Sequence, residues 1–480
     1  MTTATTQPHK IFLAGRWVDS PELLVIDNPA RPGEPAGATY SATPEQYEEA
    51  AAAAVAAFEK TRRLPAFERS AALRHISAGI AARREEIGRL IAVESGKPIR
   101  DALSEVDRGV LTFRIGAEEA ERIGGEVIPL DLNPASRGRT GIVRRFPIGP
   151  IAAISPFNFP LNLAAHKLAP AIASGNPIVL KPPSRDPLTM LTVAEIVAET
   201  GLPEGSVSIL PMSRELGDRM VSDERFKLLT FTGSPAVGWK MKERAGKKRV
   251  VLELGGNAGV IVDRTADIDW AVRRTVAGAF SYSGQVCISV QRVFVDDAVW
   301  DEFMSRFVEA TRKLKVGDPL DPHTDVGPMI DAAAVERTRK WVDEARAMGG
   351  QVLFGGTADG LYFAPTILVD VPTDASVCRE EAFEPLVVVS RFTDFAEALR
   401  GLNDSRFGLQ AGIFTNDLAH AWSAFEELEV GGVIVNDVPT YRIDHMPYGG
   451  SKDSGLGREG VRYAIEDMTE LRIMVMASPG

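Results

Sequence analysis

A chain of 480 residues, 45% hydrophobic and 25% charged, has length for about two to four domains with large buried cores, which excludes a disordered or fibrous protein. A net charge of -11 excludes a generic basic face for nucleic acid, though not local basic pockets. Two cysteines, Cys287 and Cys378, give no disulfide framework and fit a reducing, cytoplasmic setting.

The run Met1 to Lys10 is polar and has no apolar core of a signal peptide. Residues 11 to 27 read as a short strand pair around Gly15-Arg16. Thr43-Pro44-Glu45-Gln46 is a helix start, with a Thr cap, Pro at the first position and Gln three residues after the cap. The alanine-rich helix it opens runs to about Phe58. The spacing of Leu73, Ile76, Ile80, Ile87 and Leu90 predicts one helix from about Phe67 to Ile91, stopped by Gly96 and Pro98. A third helix covers about Ile99 to Glu121. Residues 124–129 and 140–146 read as two strands of modest apolar content. They fit either an arm that pairs outside the main body, such as on another subunit, or an ordinary surface hairpin.

From Ile151 onward short apolar strands alternate with helices: strands at 151–155, 178–181, 207–210, 228–231 and 250–254, with helices between them. This alternation predicts a doubly wound parallel sheet, whose ligands sit at the C-terminal strand ends. Asn158, Lys181, Ser184, Ser234 and Glu253 all fall at or just past those ends. The apolar stretch Ile148 to Leu180 is broken by five prolines and carries Asn158, His166 and Lys167, so it does not read as a membrane span. A second α/β series follows from about Gly259 to Val435. The last part is a Gly/Ser/Lys-rich loop, Met446 to Ser454, a helix from Arg458 and an apolar tail, Leu471 to Met476.

Cys287 lies in a polar turn, Gly284-Gln285-Val286-Cys287, just before the β-like run Val290 to Val295. An activated thiolate there is a candidate nucleophile. Taken alone, a small buried thiol is the commoner state. Likewise, Asn158 between two prolines can be a turn residue, Glu253 a solvated acid, and Ser234-Pro235 an ordinary helix cap.

Pro156-Phe157-Asn158-Phe159-Pro160, Phe231-Thr232-Gly233-Ser234, Leu252-Glu253-Leu254-Gly255-Gly256, Gly284 to Cys287, Glu381-Ala382-Phe383 and Pro447-Tyr448-Gly449-Gly450 follow in that order. This ordered set resembles the aldehyde dehydrogenase superfamily over nearly the whole chain, about residues 11 to 475. The closest motif style is the branch oxidising lactaldehyde and glyceraldehyde 3-phosphate. The resemblance implies a Rossmann-like parallel-sheet cofactor domain (1–123 and 146–256) and a second α/β catalytic domain (257–450). It also implies a small β oligomerisation arm with a C-terminal strand (124–145 and 466–480). It implies that Cys287 attacks the aldehyde, that Asn158 and the Cys287 N–H hold the oxyanion, and that Glu253 is the base that hydrolyses the thioester, with Lys181 a further catalytic residue. Ser155, Pro156, Phe157, Asn158, Lys181, Ser184, Gly217, Gly233, Ser234, Val237, Leu254, Glu381 and Phe383 are the implied cofactor contacts. No metal is called.

The resemblance leaves the cofactor as NAD or NADP. Ser184 stands where NAD-preferring members often carry a Glu for the ribose hydroxyl, so a 2′-phosphate is not repelled. Glu384 stands where many members have Gly. Arg108, Arg442 and His445 are the candidate substrate residues, two arginines being suited to a carboxylate or phosphate. Glu105 and Arg108 equally fit a surface ion pair at i,i+3. The expected substrate is a short polar or anionic aldehyde. The alternative is a broad-specificity enzyme for aromatic or aliphatic aldehydes. The coenzyme A-acylating type is disfavoured by Glu253. A homodimer or homotetramer is implied, with no nucleic-acid or membrane partner.

Overall fold

The computed structural model describes residues 7–478. The first six residues of the polar N-terminal run and the last two of the 466–480 segment lie outside the described residues.

Two mainly parallel sheets organise the chain. In the first, five inner strands run parallel in the order Val207–Ile209, Ile178–Lys181, Ile151–Ile154, Leu228–Thr232, Arg249–Glu253. Ile151–Ile154 and Ile178–Lys181 are buried at every position, because helices cover both faces of a parallel sheet. The strand pair Ile11–Leu13 and Arg16–Val18 closes one edge antiparallel. The other edge is closed by Gly455–Leu456, so the far end of the chain is placed beside Glu253, which pairs with Gly455. The second sheet runs Gln351–Phe354, Thr366–Val369, Leu386–Phe392, Val290–Asp296, Ala258–Val262, Gln410–Phe414, Gly432–Val435.

Most elements lie where the residue pattern puts them. Thr43 and Gln46 form the reciprocal capping box, and Gly96 ends its helix at φ 72. Two departures have physical causes. The single helix expected over 67–91 is two, Ala66–Ala82 and Arg84–Ser95, joined at Arg83 with φ -105 and ψ 22. Arg83 binds Glu86 and Glu195, both at 2.7 Å. The apolar positions stay in phase across the joint, so their spacing shows no break. The strand Gln410–Phe414 was not expected. Its sequence, Gln-Ala-Gly-Ile-Phe, has little β propensity, yet every residue is buried. The flanking helices Phe395–Asn403 and Leu418–Glu427 were missed with it.

The arm strands Gly125–Pro129 and Arg139–Pro147 pair with each other. The chain's own C-terminal strand, Thr469–Ala477, completes the arm over nine residue pairs. Leu471, Ile473, Met474, Val475 and Met476 on it are exposed.

Candidate active site

Strand ends and the turns after them deliver the side chains. Cys287 follows a tight turn in which Tyr282 and Ser283 take left-handed backbone at φ 49 and 56. That costly geometry is held by several bonds at once. The Tyr282 hydroxyl donates to Ser95 O at 3.1 Å, the Ser283 hydroxyl to Gly327 O at 2.7 Å, and Gln285 Oε1 accepts from the Ile330 N–H at 2.9 Å. Gly284 admits the neighbouring segment, since a Cβ there would sit 1.9 Å from the Glu384 carbonyl oxygen. The Cys287 Sγ ends 3.0 Å from the Tyr448 hydroxyl. Burial pushes this half-buried thiol up to about 11, with the Tyr448 hydrogen bond opposing.

Asn158 is buried, and its amide donates to Gln285 O at 3.0 Å, which fixes it beside the cysteine turn. Its carbonyl accepts from Lys97 Nζ at 2.6 Å. Glu253 ends its strand buried, with neither carboxyl oxygen partnered within the protein. Burial first, then the like charge of Glu459, raise it well above the usual carboxylate range. Cys287, Asn158 and Glu253 line one cleft of about 710 Å³.

Pro156, Phe157, Gly233, Ser234, Leu254, Glu381 and Phe383 line the same cleft. Glu381 Oε1 accepts from the Gly256 N–H at 3.1 Å, an approach only a glycine at 255 allows, since a Cβ there would lie 2.2 Å from Glu381 Oε2. Burial pushes this carboxyl up to about 7. The Phe157 and Phe383 rings meet edge to face at 5.9 Å. The helix Pro235–Arg244 has no side-chain cap at Ser234, and its first turn lines the cleft. An uncapped N-terminus suits a phosphate. Lys181, Ser184 and Gly217 cluster apart from the cleft lining. Lys181 Nζ bonds Ser184 Oγ at 3.2 Å, and a Cβ at Gly217 would sit 2.8 Å from Lys181 Cδ. Burial, then Arg214, lower Lys181 to about 8. Ser155 is buried with its hydroxyl unpartnered, and Val237 is exposed. These orphaned and uncapped donors fit a dinucleotide.

Residues 17–474 match the model of the Aldehyde dehydrogenase family. The chain belongs to the aldehyde dehydrogenase family. It is 42% identical to 3-sulfolactaldehyde dehydrogenase of Priestia aryabhattai over 99% of this chain and 100% of that protein. The structure of aldehyde dehydrogenase 21 from Physcomitrella patens, in complex with the reaction product succinate, superposes with a TM-score of 0.97 at 48% identity, covering 99% of both chains. The structure of a glyceraldehyde-3-phosphate dehydrogenase from Methanocaldococcus jannaschii, complexed with NADP, has a TM-score of 0.91 at 39% identity, over 95% of this chain and 99% of that one.

Behind the cleft of this aldehyde dehydrogenase lies a buried ionic layer. Glu459 binds Lys167 at 3.3 Å and Arg442 at 2.9 Å. Lys167 also donates to Thr230 at 3.1 Å and Thr232 at 2.7 Å. Burial would raise Glu459, but Lys167 and Arg442 overcome it and hold the carboxyl down to about 2. The Arg442 guanidinium lies 3.7 Å over the Tyr448 ring. Asp444 accepts from Arg108 at 2.8 Å, His166 at 2.9 Å and Asn162 at 3.0 Å. Arg108 and Glu105 do not pair, contrary to the surface alternative: Glu105 is buried, binds Lys97 and caps Leu161 and Asn162 through their N–H groups. His445, expected beside the substrate, is exposed. None of Arg108, Arg442 or His445 lines the cleft.

Lys97, Lys167, Tyr448, Asp444 and Glu459 escaped the sequence reading as site residues. The one signal for Lys167 was the His166-Lys167 pair inside an otherwise apolar helix, Asn162–Ser174, every residue of which is buried.

Proposed function

We propose that this aldehyde dehydrogenase oxidises a short polar or anionic aldehyde to its carboxylic acid, with NADP or NAD. The observation that carries the reading is one cleft with a thiol, a fixed amide and an unpaired carboxyl at one end and an uncapped helix N-terminus beside them. Cys287 attacks the carbonyl carbon, and the Asn158 amide and the Cys287 N–H hold the oxyanion. A bound nicotinamide would supply the hydride acceptor for the oxidation step. Glu253 takes a proton from the water that hydrolyses the thioester on Cys287.

Ser155, Pro156, Phe157, Gly233, Ser234, Leu254, Glu381 and Phe383 would hold the nicotinamide and phosphates, and Lys181, Ser184, Gly217 and Val237 the adenosine end. The exposed Ser184 beside Lys181 leaves room and donors for a 2′-phosphate, and the Methanocaldococcus jannaschii neighbour is a complex with NADP. In this reading segments 1–123 and 146–256 form the NAD(P)-binding domain, and 257–450 the catalytic one. Segments 124–145 and 466–480 carry a homodimer or homotetramer through the exposed apolar strand. Among the described residues no helix is long and apolar enough to cross a membrane.

Arg108 and Arg442, the candidates for an anionic group, stand behind the cleft and not in its lining, so their charge acts on the substrate from a distance. Each guanidinium is anchored by one carboxylate, and the buried Arg442 Nε has no protein partner. The two relatives named for a sulfonated aldehyde and for bound succinate point to the same anionic class. The test is reduced-cofactor production from short anionic, short neutral and aromatic aldehydes with NAD and NADP, with and without coenzyme A. Preference for short anionic aldehydes supports the reading; turnover of aromatic or long aliphatic aldehydes alone overturns it.

A further inference from the structure

We infer that Tyr448 is a further catalytic residue, whose phenolic O–H donates to the Cys287 sulfur and stabilises the thiolate that attacks the aldehyde. The inference rests on the reading of Cys287 as nucleophile.

The geometry is direct, with Oη and Sγ 3.0 Å apart. The other ionisable groups acting on the thiol come from three other segments. Glu253 at a strand end and Glu381 on its turn are carboxyls that oppose a thiolate, and Arg442 favours one. Arg442 is already bound to Glu459 at 2.9 Å, so much of its charge is met. Among the described residues Tyr448 is the side chain within hydrogen-bond distance of the sulfur. Its phenol keeps its proton while the thiol ionises, because burial and the neighbouring Cys287 raise it well above the usual tyrosine value. The Arg442 cation stacked over the ring draws density from it and makes the O–H a stronger donor. On ionisation the thiol proton passes to solvent and Tyr448 retains its own. The carbon–sulfur bond then forms from a sulfur lone pair, with no covalent change in Tyr448.

Tyr448→Phe removes one oxygen and keeps the ring under Arg442. The experiment measures alkylation of Cys287 by iodoacetamide across the neutral and alkaline range, located by mass spectrometry, in full-length wild type and variant. Kinetics and apparent unfolding temperature are measured on the same samples. The expected result is a thiol inflection raised by about one to two pH units and alkylation at least ~10-fold slower below it, the size of a hydrogen bond to a charged group. kcat/KM falls alongside, while the unfolding temperature and the KM for the dinucleotide stay unchanged. Coincident pH profiles overturn the inference. Cys287→Ala separates the two claims. If it retains oxidation, the nucleophile reading fails. If it is inactive while the Tyr448→Phe profile matches wild type, only the role of Tyr448 fails.

Discussion

The floor of the cleft and the layer behind it are built from the same residue types and behave oppositely. Glu253 and Glu459 are both buried glutamates. Glu459 meets Lys167 and Arg442 and is held down to about 2, whereas Glu253 has no partner for either oxygen and is raised. The same contrast separates Asp444, satisfied by Arg108, His166 and Asn162, from Cys287, whose thiol is pushed up by burial and has one hydroxyl beside it. A partnered buried charge positions its neighbours; an unpartnered one is a reservoir of reactivity. The distinction assigns chemistry to the floor and scaffolding to the layer behind.

The sharpest break of this comparison is Cys287→Ala. Aldehyde oxidation falls by more than ~10^4-fold, since no other thiol lines the cleft, while dinucleotide binding, followed by fluorescence quenching, persists. Glu253→Gln comes next. Reduced cofactor appears as one fast burst per site, acid release slows by about 10^2–10^4-fold, and mass spectrometry detects the acyl-enzyme on Cys287. The wild-type steady-state rate rises with pH, because Glu253 must lose its proton to act and its pKa is shifted upward. A flat profile through the neutral and alkaline range removes Glu253 as the base. Asn158→Ala lowers kcat by about 10^2–10^3-fold, with the KM for the dinucleotide little changed.

The layer behind responds differently. Glu459→Gln leaves Lys167 and Arg442 buried without their counter-charge, a change of about 3–5 kcal/mol where a buried pair is broken. The apparent unfolding temperature drops by several degrees. The rising limb of the rate profile also moves to lower pH, because the charge that raises Glu253 is gone. In wild type the depressed Glu459 stabilises the fold above its ordinary value of 4.5, and this is lost as pH falls toward 2. Unfolding temperatures measured down that range check the sign.

The floor was legible in the sequence and the layer behind it was not. Asn158, Glu253 and Cys287 sit in short local motifs at strand ends, and strand–helix alternation is itself a local pattern. Partnering across the fold leaves no such trace. Glu105 and Arg108, one helical turn apart, read as a pair, yet one reaches Lys97 and the other Asp444, which is distant in sequence. Lys167 finds Glu459 almost three hundred residues on, at a separation of 292. The strand Gln410–Phe414 was hidden for a related reason. Burial between Ala258–Val262 and Gly432–Val435, not its own propensity, makes it a strand.

Glu384 provides the smallest test, because it stands between the two regions. It lies one residue beyond Phe383, and its backbone carbonyl packs on Gly284 of the cysteine turn. Its buried carboxyl accepts from Arg337 Nε at 2.8 Å through one oxygen and has no partner for the other. Burial pushes it up to about 7. It is thus half scaffold and half unpaired acid. Arg337 lines the cleft but is 44% exposed, so the solvent-screened pair contributes at most about 1 kcal/mol. Glu384→Gln keeps an acceptor for Arg337 and removes the charge. The KM for NADP therefore changes by no more than about fivefold, with kcat and the Cys287 alkylation profile unchanged. A larger loss in kcat would place Glu384 among the groups that hold the cysteine turn.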